Sequence, residues 1–359
     1  MLNNLLSFAS VMQTIGYVLI AILILLVMIT VHEFGHYVSG KIFGFGIEEF
    51  AIGFGPKIFK KDLKNGEVFS IRCLPLGGFC SFKGEDQEDD DPTAFNNKKP
   101  WQRIIVLVSG AFMNYLLALL IIMLTFACYG QSKYYVKQMD ENVTVSEYTL
   151  QEGDVILAIN GKNVYNVSDM MSAYGGRKAG ETVKLKVIRD GVKQVKEITL
   201  ITDTNFKNLE DTDTLLTSLG VNSLYSKRVR VGFFGVIGGS VEYSIKTAGT
   251  IFKFLGQLFT GAIGLNSMGG TITTIGITAD AIKTGGLFNL LTIASYIGVN
   301  LAVFNLLPIP ALDGSRVIFT IVEWIRKKPL NRNVEAIIHT VGLIVLFAFA
   351  ILVDLLHLF

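Results

Sequence analysis

Residues 15–36 read IGYVLIAILILLVMITVHEFGH, an apolar run that ends in a cluster of polar residues. No Asp, Glu, Lys or Arg occurs anywhere in residues 1–31. A bilayer core about 30 Å thick is crossed by roughly 20 apolar residues in helical form, so the stretch predicts a transmembrane helix that runs straight into His32 and Glu33. A secretory signal peptide is the competing reading. It is set aside because no basic segment precedes the apolar run and no small-residue cleavage site follows it. The whole chain agrees: of 359 residues 50% are hydrophobic and only 17% are charged, against roughly 25% in an ordinary soluble domain. That composition excludes a purely soluble enzyme and a disordered chain. A net charge of +2 offers no field for nucleic acid. Cys73, Cys80 and Cys128 show no CxxC spacing, so neither a disulfide framework nor a cysteine-held zinc is expected.

Working outward, three more stretches are long and apolar enough to span. Residues 104–132 are uncharged throughout, residues 284–312 are densest at 287–307, and residues 336–353 carry only His339 as a titratable group. Residues 254–279 are also uncharged but are interrupted by Gly256, Gly261, Gly264, Gly269, Gly270 and Gly276, which predicts an interfacial or re-entrant segment rather than a span. Just before it, Val241, Ile245, Ala248, Phe252, Leu255 and Phe259 recur at helical spacing, the pattern of an amphipathic helix lying on a membrane. Lysine and arginine concentrate between the first two spans and between the last two. The positive-inside rule therefore places both of those loops in the cytoplasm, and both termini outside.

His32-Glu33-Phe34-Gly35-His36 is an HExxH pattern. Residues four apart share one helix face, so both imidazoles can reach one metal ion while Glu33 acts on its water. A glutamate beside lipid is costly and by default marks function. A zinc site needs a further protein ligand. The run does not continue as HExxHxxGxxH, since Ser39 and Ile42 stand at the relevant places. Glu48 and Glu49 fall in a Gly-rich segment past the helix; the stronger candidate is Asp313, in Asn305-Leu306-Leu307-Pro308-Ile309-Pro310-Ala311-Leu312-Asp313-Gly314. Two prolines there must break the helix and free backbone groups, which at membrane depth is tolerated only beside protein or a watery cavity. The plainer reading makes Asp313 the N-cap of the next helix.

HEFGH and NLLPIPALDG together resemble the site-2 protease family, the intramembrane zinc metalloproteases, in its bacterial form with one extracytoplasmic PDZ domain. Phe50-Ala51-Ile52-Gly53-Phe54-Gly55-Pro56-Lys57 and Leu74-Pro75-Leu76-Gly77-Gly78-Phe79 are similar to that family's membrane-associated β segments. Gly110-Ala111-Phe112-Met113-Asn114 is similar to its GPxxN, with Ala111 in place of the proline, and Gly269-Gly270-Thr271-Ile272 lacks the proline of its GGPxGI. The resemblance implies that His32, His36 and Asp313 bind Zn2+, that Glu33 is catalytic, and that Asn305 and Asn300 contact substrate. By physics alone an Asn in a span wants a hydrogen-bond partner, which helix packing would also supply.

From about residue 133 to 205 charges return and alternation appears. Residues 152–161 end on Asn160-Gly161 and residues 183–191 on Asp190-Gly191, both hairpin signals, with a helix expected near Met170–Ala173. This segment resembles a PDZ domain, whose groove adds a peptide as an extra strand; it is expected to bind a substrate C-terminus or to exclude bulky substrates.

The expected fold is a polytopic α-helical membrane protein with about four transmembrane helices, membrane-associated β segments after the first, and an inserted α+β PDZ domain. Its expected divisions are residues 1–132, 133–205, 206–283 (linker and interfacial segment) and 284–359. The expected activity is zinc-dependent hydrolysis of peptide bonds within single-span membrane substrates in a bacterial inner membrane, with the PDZ domain extracytoplasmic and the site toward the cytoplasmic side. His32 to His36 lie roughly 26–32 Å along the helix from Ile15 at 1.5 Å per residue, so water is expected to enter from that side. The Gly-punctuated β segments are candidates either for pairing with an unwound substrate or for a hairpin packed beneath the bundle. The alternative function is a membrane PDZ adaptor with a structural or vestigial zinc site; a transporter is disfavoured because no internal repeat is visible. The acidic run 85–91 reads as a solvated loop, and His339 and His357 as packing or interfacial residues.

Overall fold

The computed structural model describes residues 2–85, 89–144, 146, 149–206, 211–261, 263–264 and 268–356. His357 and part of the acidic run (Asp86, Gln87 and Glu88) lie outside them. The described chain divides into two compact units, one of residues 1–124 and 240–359 and one of residues 125–239.

In the first unit, α1 (Leu2–Ile42) carries the opening apolar run. It is followed by an antiparallel hairpin of β1 (Ile47–Asp62) and β2 (Val68–Phe82), then by α2 (Pro100–Tyr129). After the second unit come α5 (Phe233–Phe259), α6 (Thr271–Asn305), α7 (Asp313–Arg326) and α8 (Arg332–Leu356). Among the described residues four helices are long and apolar enough to cross a membrane: Val11–Ile42, Pro100–Tyr129, Ile272–Asn305 and Asn333–Leu356. The chain is thus a polytopic membrane protein with added β structure.

The boundaries moved for identifiable reasons. The second apolar stretch was expected to run to Ser132, but its helix stops at Tyr129 because Gly130 takes φ +83° and residues 131–139 turn to strand. The stretch 254–279 becomes the end of α5 and the start of α6, with residues 262 and 265–267 outside the described set. α6 is not one continuous helix, since Gly286 sits at φ +57°, ψ −141°. Its first turn is held by a side chain far away in sequence: the buried Asp354 of α8 accepts hydrogen bonds from the backbone N–H of Ile272 and Thr273 at 3.1 and 3.0 Å. A carboxylate there satisfies otherwise orphaned N–H groups and complements the helix dipole. A second buried tie joins α2 to α7, where Arg103 meets Glu323 at 2.6 Å with both side chains 6% exposed.

The second unit is an antiparallel sheet in the order β7-β6-β4-β3-β8, with the short β5 beside β4. The strands are β3 (Gln131–Met139), β4 (Val155–Ile159), β5 (Lys162–Asn163), β6 (Thr182–Arg189), β7 (Val192–Thr199) and β8 (Val221–Val229). Two short helices, α3 (Val167–Tyr174) and α4 (Thr212–Leu219), join it. Asn160 and Gly161 take φ +48° and +79°, and Asp190 and Gly191 take +50° and +79°, the paired positive φ that a two-residue hairpin turn requires. Ile156, Ile159, Met170, Leu185 and Leu215 fill its core. The salient difference from the sequence reading is β8. It lies in the segment expected to be linker, yet it pairs with β3 from Gln131↔Val229 to Met139↔Val221. Its residues VNSLYSKRV lack a sustained alternation, and β3 precedes it by too long an interval for a local hairpin signal.

Candidate metal centre

His32 and His36 sit in the last third of α1, one helical turn apart, and their rings meet edge to face with centroids 4.8 Å apart. Both residues are buried. Asp313 reaches them because the chain reverses sharply after α6. Ile309 N–H donates to Leu307 O at 2.8 Å and Leu312 N–H to Ile309 O at 3.1 Å, winding the Pro308–Pro310 segment into a tight turn. Leu312, not Asp313, is the N-cap of α7, which leaves the Asp313 carboxylate free of the capping role. Gly314 is required at the close approach: a Cβ there would collide with the carbonyls of Leu306 and Leu307.

The result is three donor atoms around one point. His32 Nε2 lies 3.0 Å and His36 Nε2 3.3 Å from Asp313 Oδ2, and the two nitrogens are 3.1 Å apart. A tetrahedral zinc ion with bonds of about 2.0–2.1 Å would separate its ligand atoms by roughly 3.3 Å, so the spacing suits that ion. The proton positions agree. His36 Nδ1 donates to the Val106 carbonyl at 2.8 Å, which leaves its Nε2 as a lone pair facing Asp313 Oδ2. Asp313 Oδ2 is itself buried, with no hydrogen-bond partner among the described residues. Lone pairs facing each other in a buried site repel unless a cation lies between them. The donor set therefore fits zinc; among the described residues it is the one group of three His, Cys, Asp or Glu close enough to hold a metal.

Two amides meet the other side of His32. Asn305 at the end of α6 and Asn114 in α2 place their Nδ2 atoms 3.4 and 3.5 Å from His32 Nδ1. Asn114 is fully buried and its Oδ1 has no partner among the described residues. Rotating that amide by half a turn sets Oδ1 against a protonated His32 Nδ1, keeping Nε2 free for a metal. Asn114 was quoted in the sequence reading only as part of a motif; its position next to His32 needed the fold. Asn300, five residues before Asn305, makes no hydrogen bond to the centre among the described residues. Glu48 and Glu49 stay on the hairpin, where Glu49 pairs with Arg72 and Lys57 instead.

The helices and hairpin close around this point through glycines. A Cβ on Gly110 of α2 would stand 2.7 and 2.8 Å from His32 Cε1 and Nε2, and one on Gly35 of α1 would strike the Ser109 backbone. These two positions let α1 and α2 approach at the level of the imidazoles, where Ser39 and Ser109 also share a 2.7 Å hydrogen bond. From the other side β2 lies against α1 beside Glu33: a Cβ on Gly78 would stand 2.9 Å from the Ala51 carbonyl oxygen and 3.5 Å from Glu33 Cγ. The hairpin is thus packed at the site. His339, expected as a packing or interfacial residue, accepts the Ala311 N–H two residues before Asp313 at 3.1 Å.

Comparison with known proteins gives a consistent picture. The profile of Peptidase family M50 matches residues 20–349. A provisionally named zinc metalloprotease of Clostridium perfringens is 32% identical over 341 residues, covering 94% of this chain and 97% of the relative. The zinc metalloprotease RasP of Bacillus licheniformis is 29% identical over 404 aligned residues, covering 89% and 93%. The regulator of sigma-W protease RasP of Bacillus subtilis is 27% identical over 413 aligned residues, covering 91% and 94%.

Proposed function

The chain belongs to Peptidase family M50, and from that premise we propose that it hydrolyses peptide bonds inside the transmembrane segments of single-span proteins, with His32, His36 and Asp313 holding Zn2+ and Glu33 as the catalytic base. The observation that carries this reading is the convergence of His32 Nε2, His36 Nε2 and Asp313 Oδ2 beside Glu33, near the end of an apolar helix. Zinc at such a site supplies Lewis acidity that brings the pKa of water to about 7. Glu33 takes a proton from the attacking water at its carboxylate and returns it to the departing amine. The Val106 carbonyl and Asn114 orient the two imidazoles. In this reading Asn305, whose Nδ2 lies 3.4 Å from His32 Nδ1, and Asn300, five residues earlier on α6, contact the substrate backbone.

The site faces the cytoplasmic side of a bacterial inner membrane in this reading, because the basic loops flank it. The substrates are remnants of single-span proteins already cut outside. The anti-sigma class is included, since the Bacillus subtilis relative is named a regulator of sigma-W protease. The antiparallel unit serves as the PDZ module, binding a new C-terminus or excluding intact ectodomains. Its span is widened from 133–205 to take in β8.

Glu33→Gln tests the proposal. The variant should bind zinc at the wild-type stoichiometry, lose cleavage of a reconstituted single-span substrate, and accumulate membrane fragments visible by proteomics. Full cleavage by that variant would sink the mechanism. Zinc-free protein with normal partner binding would favour the adaptor reading.

A further inference from the structure

We propose that His339 of α8 is a positioning residue for the metal centre, acting as the acceptor that holds the Pro310–Ala311 turn and through it Asp313. The inference rests on the metalloprotease reading above but adds a residue that neither HExxH nor the LDG segment contains. Ala311 takes φ +78°, a backbone conformation that residues with a Cβ rarely adopt. Such a conformation persists only where its surroundings over-determine it. Three contacts do so here. The Ala311 N–H donates to His339 Nδ1 at 3.1 Å. One turn along the same helix, Gly342 lets the α8 backbone approach so closely that a Cβ there would stand 2.8 Å from Pro310 C and O. On the other side Phe319 of α7 meets the His339 ring edge to face, with centroids 5.6 Å apart.

The consequence for Asp313 is geometric. Its carboxylate lies two residues past Ala311 and must sit 3.0–3.3 Å from both imidazole nitrogens. A turn released to the ordinary negative-φ region swings everything after it, and α7 is anchored at its far end by the Arg103–Glu323 pair. Relaxation of the turn is therefore taken up at the start of α7, where Asp313 is. His339 Nδ1 must be unprotonated to accept the N–H, so an uncharged acceptor of similar reach should replace it. Asn offers one, since its Oδ1 occupies nearly the place of a histidine Nδ1.

The test uses the full-length protein in detergent and measures zinc affinity by competition with a chelating fluorophore, alongside single-turnover cleavage. His339→Ala should weaken zinc binding by about 10- to 100-fold, the range typical of losing an outer partner of a metal ligand. His339→Asn should restore most of it. Adding Ala311→Gly to His339→Ala should also recover affinity, because glycine adopts positive φ without strain. That rescue separates positioning from general loss of packing, and a matched melting temperature between His339→Ala and His339→Asn controls for folding. Wild-type zinc affinity in His339→Ala, or equal weakening in the Ala and Asn variants, would overturn the proposal. A wild-type protein that binds no zinc at all would instead overturn the reading it rests on.

Discussion

Gly110→Ala is the most direct test of how the centre is built. The substitution adds one methyl to α2 and nothing else, yet that carbon would stand 2.7 Å from His32 Cε1 and 2.8 Å from His32 Nε2, and closer still to His36 Nε2. Non-bonded carbons are comfortable at about 3.5–4.0 Å, so α2 or the two rings must give way by about 1 Å. Overpacking of this kind costs about 1–3 kcal/mol, which is about 5- to 150-fold in an equilibrium such as zinc binding. A misplacement near 1 Å at reacting groups costs about 100-fold in rate. The variant should therefore insert and purify normally, bind zinc at least about fivefold more weakly, and cleave about 100-fold more slowly. Zinc competition and single-turnover cleavage in the same detergent read both quantities. Gly249→Ala on α5 is the control: a Cβ there meets nothing within 4 Å, and alanine should if anything stabilise the helix by about 0.5–1 kcal/mol. Wild-type zinc affinity and rate in Gly110→Ala would refute the claim that the α2 backbone abuts the imidazoles.

Three further outcomes are expected. Arg103→Met removes one partner of a buried ion pair and should lower stability by about 3–5 kcal/mol, read as a lower melting temperature; the double variant Arg103→Met, Glu323→Met should recover much of the loss. Asp354→Ala uncaps α6 and should cost about 0.5–2 kcal/mol, with faster amide exchange confined first to residues 271–275; exchange that stays at the wild-type rate there would argue against the cap. In the hairpin, partial burial raises the Glu49 carboxyl, but hydrogen bonds from Ser70, Arg72 and Lys57 outweigh it and hold the pKa at about 2, below the ordinary 4.5. A depressed carboxyl contributes stability that is complete above pH 4.5 and is lost as pH falls through about 2. Amide exchange in residues 47–62 and 68–82 should therefore quicken over that window. Glu49→Gln should abolish the dependence, and an unchanged acid profile in that variant would contradict it.

How much of this was legible beforehand depends on range. Spans follow from apolar length, because the bilayer sets how many residues a helix needs. The pairing of His32 with His36 follows from a period of 3.6 residues per turn, and the Asn160-Gly161 and Asp190-Gly191 turns from the few residues that tolerate positive φ. All of these are local constraints, written within a few positions of one another. β8 was missed for the opposite reason: its pairing with β3 is set by packing of the 125–239 unit and leaves no local alternation to read.

Sequence alone was enough for a membrane chain with an orphan HExxH at the end of its first span, and for Asp313 as the further candidate ligand, because HExxH leaves a zinc site one protein ligand short and two prolines break the span just before that carboxylate. Packing at long range is what sets Asp313 Oδ2 3.0 Å from His32 Nε2, backs the same ring with Asn114, and lets Gly110 make room for both imidazoles. The physical reason is that helix periodicity acts over four residues. The meeting of α1, α2 and the α6–α7 turn depends instead on close helix approach, buried ion pairs and a strained turn held by a fourth helix.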